Sequence, residues 1–282
     1  MVVISGIVFG IMPSTVSYCY SQGATPMLMM LSRSVLFNLI LLPVMLKKKN
    51  TWDLYRRTWK QYILLTLTGT GTPLLLFTAY RYIPTGVTTT IHFLYPAMVV
   101  LACMLLFREK LSKIRGISVA LCVAGILLMV DTSAKNLSMT GVLIALASSI
   151  TWAAYIILLD KANLQGATSE QIMFYTGISS IVMMAVFGSA AGQLTVSVTP
   201  IGWAAIVASN LFISVFGGLF FVMGVRHTDA QVSAVASTLE PIVSIVIGVL
   251  FLNETLTVRT GIGSVLILSA VVLLALYGDK ET

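Results

Sequence analysis

The hydrophobic positions of this chain form ten long blocks that are separated by short polar stretches. Each block holds about 20 predominantly apolar residues, which is the length an α-helix needs to cross the hydrocarbon core of a bilayer. The longest polar stretch runs from Lys47 to Lys60, so no connection has room for a folded soluble domain. The pattern predicts spans at about 2–21, 26–46, 61–82, 85–107, 114–131, 138–159, 169–191, 201–224, 230–252 and 259–277.

The composition supports the same interpretation. Of the 282 residues, 57% are hydrophobic and 10% are charged, and the mean hydropathy is +0.96. Soluble domains are about 45–50% apolar and about 25% charged. These values exclude a soluble enzyme, a nucleic-acid binder and a disordered chain. They predict an all-α, polytopic membrane protein with ten transmembrane helices, whose first partner is the lipid bilayer.

Most charged residues lie in the connections and give a formal net charge of +7. If the N-terminus is inside, 13 of the 17 Lys and Arg residues fall in inner connections and three fall in outer ones. Glu109 and Glu254 lie just before a following span, where we expect them to complement the dipole of its N-terminus. Because basic connections stay on the cytoplasmic side of a membrane, the distribution predicts that both termini are cytoplasmic.

An internal repeat divides the chain into two halves. When the sequence is shifted by 145 residues, Ala79–Leu128 aligns without a gap with Gly224–Leu273, and 11 of 50 positions are identical. Matches that hydrophobicity does not explain pair Arg81 with Arg226, Pro96 with Pro241, Glu109 with Glu254 and Gly116 with Gly261. Because each half holds five spans, an odd number, the second half enters the membrane upside down. We predict two inverted five-helix repeats, at 1–132 and 137–278, an arrangement typical of secondary transporters.

Helix-weakening residues lie at corresponding positions of the third and eighth spans. Gly71 lies within Gly69–Pro73, and Gly217 lies in the eighth span. Glycine costs about 1 kcal/mol and proline about 3 kcal/mol in a helix interior. Weakened helices at equivalent positions of two halves indicate a transporter binding site. Alternatively, the small residues allow close helix packing, as they would in Gly6-x-x-x-Gly10.

Polar side chains precede a proline in the fourth and ninth spans. Residues spaced by i, i+4 and i+7 share one helix face, and polar groups within a membrane are expected to face a cavity or the bundle interior. Two equivalent helices would therefore line opposite walls of one central cavity. The candidates are Thr88, His92 and Tyr95 in the fourth span, and Ser233, Ser237 and Glu240 in the ninth.

Glu240 and Arg33 are charged residues inside predicted spans. Such residues are functional candidates because burying a charge in hydrocarbon is costly. Glu240 is a candidate for proton or ion coupling, or it is a structural acid that accepts hydrogen bonds from Ser237, Ser244 or nearby backbone. Arg33 either contacts an anionic substrate, pairs with an acid such as Glu240, or extends toward the membrane interface.

Aromatic residues of the sixth and first spans form a further candidate wall of the cavity. Trp152 and Tyr155 share a helix face with Ser148, and Ser14 and Tyr18 belong to the corresponding group in the first span. Aromatic faces attract cationic groups. Ordinary packing or anchoring at the membrane interface explains these aromatic residues equally well.

The sequence predicts no metal site and no cofactor. His92 and His227 form no metal-binding pair, and Cys19, Cys103 and Cys122 lie in apolar blocks without zinc-like or redox spacing. We expect the three cysteines to be buried, reduced thiols. A membrane-embedded enzyme would need a convergent set of nucleophile, base or metal ligands, which these residues do not supply.

Three segments of the chain carry a family resemblance. They are STLEPIVSIVIGVLFLNETLTVRTGIGSVLIL (Ser237–Leu268), its weaker counterpart HFLYPAMVVLACMLLFREKLSKIRGISVALCVAG (His92–Gly125), and SRSVLFNLILLP, which contains Arg33. They resemble the EamA-type branch of the drug/metabolite transporter superfamily, over essentially the whole chain. The resemblance implies a ten-helix basket around a central cavity, lined mainly by spans one, three, four, six, eight and nine. Tyr95 stands where the second half has Glu240, so a role for this position would not be symmetric.

These features together predict a secondary transporter of small metabolites in a bacterial inner membrane. The resemblance implies an exporter of amino acids, related solutes or drugs, which would work by alternating access through the central cavity. The chain has no G-x-x-x-x-G-K-[ST] loop and therefore no ATP-binding motif of that type. The alternatives are a passive channel or facilitator and, more distantly, a membrane-embedded enzyme. The expected partners are the bilayer and a small-molecule substrate, without nucleic acid, and the function is compatible with a monomer.

Overall fold

In a computed structural model, the structure describes residues 1–47, 51–79, 82–83, 85–109, 112–129, 138–162, 164, 166–190, 197–251 and 257–277. The secondary structure of these residues is helical, as the sequence predicts. The α-helices are α1 (Val2–Ser21), α2 (Pro26–Lys47), α3 (Thr51–Ala79), α4 (Thr85–His92), α5 (Tyr95–Phe107), α6 (Lys113–Met129), α7 (Met139–Lys161), α8 (Ser169–Ala190), α9 (Pro200–Phe212), α10 (Phe220–His227), α11 (Ala230–Ala236), α12 (Glu240–Phe251) and α13 (Val258–Tyr277). A π-helical turn (Ile213–Leu219) joins α9 to α10, and a 3-10 turn (Ser237–Leu239) joins α11 to α12.

Five of the described helical segments are long and apolar enough to cross a bilayer. They are Val2–Ser21, Pro26–Lys47, Met139–Lys161, Ser169–Ser189 and Pro200–His227, and shorter apolar helices cover Tyr95–Phe107 and Gly261–Leu273. Each of them falls on a span that the hydrophobic pattern predicts. Arg81 and Glu254, which the sequence repeat aligns with Arg226 and Glu109, lie outside the described residues.

The third span departs from its predicted bounds. We predicted a helix from residue 61, but α3 begins at Thr51 and is kinked at Thr58 (φ −120°, ψ 19°). The polar stretch before this span is therefore partly helical. It contains no glycine or proline between Thr51 and Lys60, so no residue with a strong preference against helix ends α3 there.

The fourth and ninth spans are each interrupted just before their proline. In the first half, α4 ends at His92 and α5 begins at Tyr95, so Pro96 is the second residue of α5. In the second half, α12 begins at Glu240 after the 3-10 turn, and Pro241 takes the equivalent position. Proline lacks a backbone N–H and restricts the residue before it, so a helix ends readily at this point. The starts of α5 and α12 are 145 residues apart, which is the shift of the sequence repeat.

The helix-weakening residues lie in different helix geometries in the two halves. Gly217 lies in the π-helical turn, a rare geometry that frequently occurs at functional sites. By contrast, α3 continues through Pro73 as an α-helix. A membrane helix tolerates proline where side-chain hydroxyls and neighbouring helices satisfy the backbone. Next to this proline, the Thr72 hydroxyl lies 2.7 Å from the carbonyl oxygen of Thr68 and 2.9 Å from the hydroxyl of Thr151 on α7.

Two contacts identify the ends of the helical bundle. At one end, the backbone N–H of Thr199 donates to the carbonyl oxygen of Gln22 at 3.2 Å, and we name this the Gln22 end. At the other end, Arg115 forms an ion pair with Asp229 at 2.7 Å, and we name this the Asp229 end. Helix α1 ends at the Gln22 end, whereas α10 ends at the Asp229 end. The orientation predicted from the sequence would place the Asp229 end in the cytoplasm.

Glycine residues allow α1 to approach the interrupted ninth span. A Cβ atom at Gly10 would lie 2.7 Å from the carbonyl oxygen of Glu240 and 2.6 Å from Cβ of Val243. At Gly6, a Cβ atom would lie 3.7 Å from Cβ of Leu239, which is an ordinary van der Waals distance. Of these two glycines, Gly10 is therefore the one at which α1 lies closer to the ninth span, next to the start of α12.

Candidate functional site

A cavity of about 610 Å³ lies in the middle of the bundle. Helices α1 to α4 and α6 contribute to its described lining from the first half, and α7, α8, the π-helical turn, α10 and α12 contribute from the second. The lining extends toward the Gln22 end through Val16 and Tyr20 of α1 and Met30 of α2. Ligand pockets for small molecules typically measure about 300–1,000 Å³, so this cavity has the size of a small-solute site.

One wall of the cavity is polar and is built by α2, α3 and α8. Its side chains are Arg33, Ser34 and Asn38 of α2, Thr70 of α3, and Thr176 and Ser180 of α8. The Asn38 amide donates to the carbonyl oxygen of Ser34 at 2.9 Å, while Asn38 Oδ1 is buried and has no hydrogen-bond partner among the described residues. The hydroxyl oxygens of Thr70 and Ser180 are 2.5 Å apart. This wall therefore offers both donors and acceptors to a bound solute.

Arg33 supplies the positive charge of the polar wall. A Cβ atom at Gly218 would lie 3.5 Å from a guanidinium nitrogen of Arg33, so the π-helical turn packs closely against this side chain. Within the described part of the chain, Arg33 takes part in no ion pair. A guanidinium binds carboxylate or phosphate groups with two parallel hydrogen bonds. Among the described residues Arg33 thus has no acidic partner, so contact with an anionic substrate stays a prediction.

A second wall of the cavity is aromatic. Trp152 stacks on Phe221 with ring centroids 5.2 Å apart and an interplanar angle of 22°, and on Tyr155 at 5.2 Å and 23°. Phe9 of α1 extends this group, with its ring 6.2 Å from that of Phe221. A Cβ atom at Gly217 would lie 2.7 Å from the Phe9 ring, so this glycine makes room for it. The stacked rings present a flat apolar surface to the cavity.

Glu240 brings a carboxyl group to the same cavity. Its Oε1 atom is buried and has no hydrogen-bond partner among the described residues. Ser237, one of the expected partners, donates instead to the carbonyl oxygen of Ser233 at 2.7 Å. In the described structure no ion pair joins Glu240 to Arg33. The described lining therefore holds a guanidinium and a carboxyl group that form no ion pair with each other.

His92 lines the cavity beside the break in the fourth span. Its Nδ1 atom lies 3.1 Å from the hydroxyl oxygen of Ser148 on α7. Ser148 donates its single hydroxyl proton to the carbonyl oxygen of Ala145 at 2.7 Å, so it accepts from the histidine. We infer that Nδ1 carries the imidazole proton and that Nε2 carries the lone pair.

The structure brings some of the predicted site residues together and separates others. Those that line the cavity are Arg33, His92, Trp152, Tyr155 and Glu240. Tyr18 is 49% exposed, and Tyr95 is buried behind Trp152 with ring centroids 6.4 Å apart. A Cβ atom at Gly71 would have no neighbour within 4 Å. The predicted residues outside the described lining are Ser14, Tyr18, Gly71, Thr88, Tyr95, Gly217, Ser233 and Ser237.

The polar wall also contains residues that the sequence patterns did not indicate. They are Ser34, Asn38, Thr176 and Ser180, whereas Thr70 lies within the Gly69–Pro73 segment that the sequence indicated. A weak signal existed, because Ser34 and Asn38, like Thr176 and Ser180, are polar pairs at i and i+4 within apolar spans. Serine and threonine hydroxyls also donate to the i−4 carbonyl of their own helix, as Thr176 does to Ile172 at 2.7 Å. Such pairs therefore do not by themselves indicate a cavity.

The cysteines pack as small apolar side chains. Cys19, Cys103 and Cys122 are buried and free of disulfide bonds, as predicted. Cys122 Sγ lies 3.3 Å from the hydroxyl oxygen of Thr238. In the part of the chain that the structure describes, no group of three or more His, Cys, Asp or Glu residues is arranged to hold a metal ion.

Charged residues at the Asp229 end lie outside the cavity lining and connect neighbouring helices. Lys161 Nζ is 2.6 Å from Glu109 Oε1 and 3.1 Å from Asp160 Oδ2, and Gln231 donates its side-chain N–H to Glu109 Oε2 at 2.7 Å. Burial alone would raise the pKa of Glu109, but hydrogen bonds from Lys161 and Gln231 outweigh burial and lower that pKa. Glu109 thus binds side chains of α7 and α11, whereas the interaction predicted from the sequence was with the N-terminal dipole of the following helix.

Comparisons with known proteins agree with this architecture. The sequence profile of the EamA-like transporter family matches residues 1–131 and 139–276. The uncharacterized transporter YvbV of Bacillus subtilis is 28% identical over 255 residues, which cover 88% of this chain and 82% of that protein. A second transporter of the same organism, YyaM, is 24% identical over 295 residues, 99% and 94% of the two chains. One crystal structure superposes with a TM-score of 0.81 over 99% of this chain and 96% of that chain at 17% identity, so the two share a fold.

The family profile matches the chain twice, once before and once after residues 132–138. Members of the family are transporters of small solutes, and the names of the relatives point to transport rather than catalysis. The long apolar helices are what residence in a bilayer requires. The chain is therefore an integral membrane protein and belongs to the EamA-like transporter family.

Proposed function

We propose that this protein is a secondary transporter that exports amino acids or related small solutes by alternating access. The observation that carries the proposal is a cavity, lined by both sequence halves, in which Arg33 and Glu240 form no ion pair with any described residue. A solute that enters the cavity would supply the missing partners. Binding energy would then favour the state in which both halves close around the solute.

The chemistry of the walls indicates which solute fits best. An unpaired buried charge costs several kcal/mol, so a ligand that neutralises both charges gains the most. A carboxylate would bind Arg33, an ammonium group would bind Glu240, and an apolar side chain would lie on Trp152 and Tyr155. A neutral solute would leave both charges unpaired, and a simple anion or cation would leave one.

Glu240 is also the residue that we propose for coupling transport to protons or another cation. It is the carboxylate of the described cavity lining, and its Oε1 atom has no fixed hydrogen-bond partner among the described residues. An ammonium group binds the ionised carboxylate, and protonation of the carboxylate removes this attraction. Protonation of Glu240 can therefore be linked to substrate release.

We further propose that the chain forms ten spans as two inverted repeats, 1–132 and 137–278, with both termini in the cytoplasm of a bacterial cell. The interruptions before Pro96 and Pro241, at the offset of the sequence repeat, support this arrangement. Two flipped copies of one structure can exchange conformations and so open a shared cavity to either side. The charge distribution of the connections supports the orientation.

A carrier explains the cavity better than an open channel does. Described lining residues reach the Gln22 end through Val16 and Tyr20, whereas the ion-paired residues of the Asp229 end are not part of the lining. A stacked aromatic wall lies within the bundle. A cavity that extends toward one end of the bundle, and whose lining excludes the ion-paired residues of the other end, is what one state of a carrier requires.

Uptake by proteoliposomes tests the proposal. We expect the purified protein to move radiolabelled amino acids with large apolar side chains, and to move the corresponding decarboxylated amines at least tenfold more slowly, because an amine leaves Arg33 unpaired. Arg33→Gln should abolish this preference. Arg226→Gln, which removes a cation outside the cavity lining, is the matched control and should behave like the wild type. Equal transport of amino acids and amines by the wild type would contradict the proposed site.

A further inference from the structure

Charged and polar residues at the Asp229 end bridge the two sequence halves. Arg115 Nη2 of the first half lies 2.7 Å from Asp229 Oδ2 of the second. Glu109 of the first half contacts Lys161 Nζ at 2.6 Å and Gln231 Nε2 at 2.7 Å, both from the second. The side chains of Arg115 and Glu109 are only 10% and 27% exposed, and charges that are partly shielded from solvent are screened less by salt.

This network is anchored to the backbone at the start of α11. Asp229 uses its two carboxylate oxygens differently, because Oδ2 binds Arg115 while Oδ1 accepts the backbone N–H of Val232 at 2.7 Å. Asp160 Oδ2 accepts the backbone N–H of Ala230 at 3.2 Å. Helix α11 leads through the 3-10 turn to Glu240 in the cavity. The network thus holds one end of the span whose middle carries the cavity carboxylate.

The sequence repeat does not reproduce the network at the opposite end. Under the 145-residue shift, Arg115 aligns with Thr260, Asp229 with Pro84 and Gln231 with Gly86, and only Glu109 keeps an acidic counterpart, Glu254. At the Gln22 end, a described contact between the halves is uncharged, since the Thr199 hydroxyl donates to Gln22 Oε1 at 2.7 Å. Two halves that exchange conformations would therefore not exchange these ion pairs.

We propose that Arg115–Asp229 and Glu109–Lys161, with Gln231, form a latch that holds the Asp229 end closed and biases the protein toward the state in which its cavity opens at the Gln22 end. The inference rests on the proposed alternating access, because the two halves must separate at the Asp229 end before a solute can pass there. Each inter-half ion pair breaks in that step. The aligned residues cannot form the same ion pairs at the other end, so this network favours one of the two states.

The size of the bias follows from the exposure of the pairs. Ion pairs that are partly exposed change an equilibrium by about two- to fivefold each. Loss of both pairs should therefore raise the ratio of Asp229-end-open to closed molecules by roughly tenfold. Raising the salt concentration should act in the same direction on the wild type, but more weakly because the pairs are partly shielded, and should have little effect once the pairs are removed.

Distances between spin labels at the two ends measure this ratio directly. In a protein whose native cysteines are replaced by alanine, one label pair at Lys113→Cys and His227→Cys spans the Asp229 end. A second pair at Ser21→Cys and Ile201→Cys spans the Gln22 end. The measurement is made in lipid nanodiscs, with the protein that lacks the two charge changes as reference. We expect Arg115→Gln/Lys161→Gln to populate longer label-to-label distances at the Asp229 end and shorter ones at the Gln22 end.

Three further variants separate the latch from a general loss of structure. Asp229→Asn removes the charge but keeps a residue that caps a helix equally well, and it should shift the distances by about half as much. Arg115→Lys keeps the charge and should shift them little. Arg226→Gln removes a cation whose recorded contact, with Ser169, stays within the second half, and it should leave both distances unchanged.

The outcomes distinguish the latch from the proposed function. Unchanged distances in Arg115→Gln/Lys161→Gln and in Asp229→Asn would overturn the latch, even if the wild type transports amino acids in proteoliposomes. An equal shift in Arg226→Gln would overturn it as well. If the distances shift as expected and no solute is transported, the latch stands and the proposed function fails.

Discussion

Gly10 of α1 is the position at which one added methyl group tests the packing that places Glu240 in the cavity. The Cβ atom of Gly10→Ala would lie 2.7 Å from the carbonyl oxygen of Glu240 and 2.6 Å from Cβ of Val243. Gly6→Ala is the matched control one helical turn away on the same face. Its Cβ atom would lie no closer than 3.7 Å to the atoms around it.

The expected magnitude follows from these distances. Carbon atoms in favourable contact are about 3.5–4.0 Å apart, so α1 and α12 must separate by about 1 Å to admit the Gly10→Ala methyl group. Overpacking of this kind costs about 1–3 kcal/mol. Alanine regains up to about 1 kcal/mol of helix propensity at either position. We therefore expect Gly10→Ala to lower the free energy of unfolding by about 1–2 kcal/mol, and Gly6→Ala to leave it unchanged or slightly higher.

The assay is equilibrium unfolding in mixed micelles of mild detergent and SDS, followed by tryptophan fluorescence, with transport measured on the same preparations. Gly10→Ala should unfold at lower SDS and should transport at least tenfold more slowly, because the displaced α12 carries Glu240 away from its site. Gly6→Ala should resemble the wild type in both measurements. Equal free energies of unfolding for the two variants would refute the close approach of α1 to α12.

Three further predictions concern the turn, the cavity and the latch. Gly217→Leu should abolish transport because the added side chain would clash with the Phe9 ring. Gly71→Ala should transport normally because a Cβ atom at this position has no neighbour within 4 Å. Transport assays of both variants in proteoliposomes test this. Glu240→Gln should lose transport driven by a pH gradient and keep solute exchange, and exchange and gradient-driven uptake that both survive would reject coupling through this residue. The hydrogen-bonded ion pair lowers the pKa of Glu109 in the folded state. Its stabilising contribution is therefore fully present above about pH 4.3, the pKa of glutamate in the unfolded chain. This contribution disappears as the pH falls through the lowered pKa of the folded state. Unfolding of the wild type and Glu109→Gln should therefore differ at pH 7 and converge in acid, and a difference independent of pH would contradict the ion pair.

Much of the helical framework follows from the sequence because bilayer thickness and backbone hydrogen bonding leave few alternatives for an apolar chain. The breaks before Pro96 and Pro241 were also predictable, since proline removes a donor and restricts its neighbour. The first turns of α3 were missed because charge and polarity indicate the membrane boundary but do not end a helix. Gly217 lies in a π-helical turn and Pro73 in a continuous helix because their neighbouring side chains differ. Gly217 packs against the Phe9 ring, whereas the Thr72 hydroxyl forms hydrogen bonds next to Pro73.

The candidate site was less predictable than the fold. Charge and aromatic character indicated Arg33, Glu240, Trp152 and Tyr155, because such groups are costly or unusual inside a bilayer. Asn38 and the hydroxyl residues beside it gave only a weak signal, since a hydroxyl is satisfied equally well by its own helix. Their role in the wall depends on the rotation of α2, α3 and α8, which small residues set through packing. Sequence periodicity does not specify that rotation.

The claim that the two halves open the cavity at one end at a time is tested most directly by thiol labelling of Thr176→Cys in the cavity wall. A membrane-impermeant maleimide would be applied to right-side-out and inverted vesicles, with and without Arg115→Gln. We predict that the thiol reacts from both sides, and that Arg115→Gln raises its rate from the Asp229 end while lowering its rate from the Gln22 end. Reaction from a single side under all conditions, or rates that rise together from both sides, would contradict alternating access.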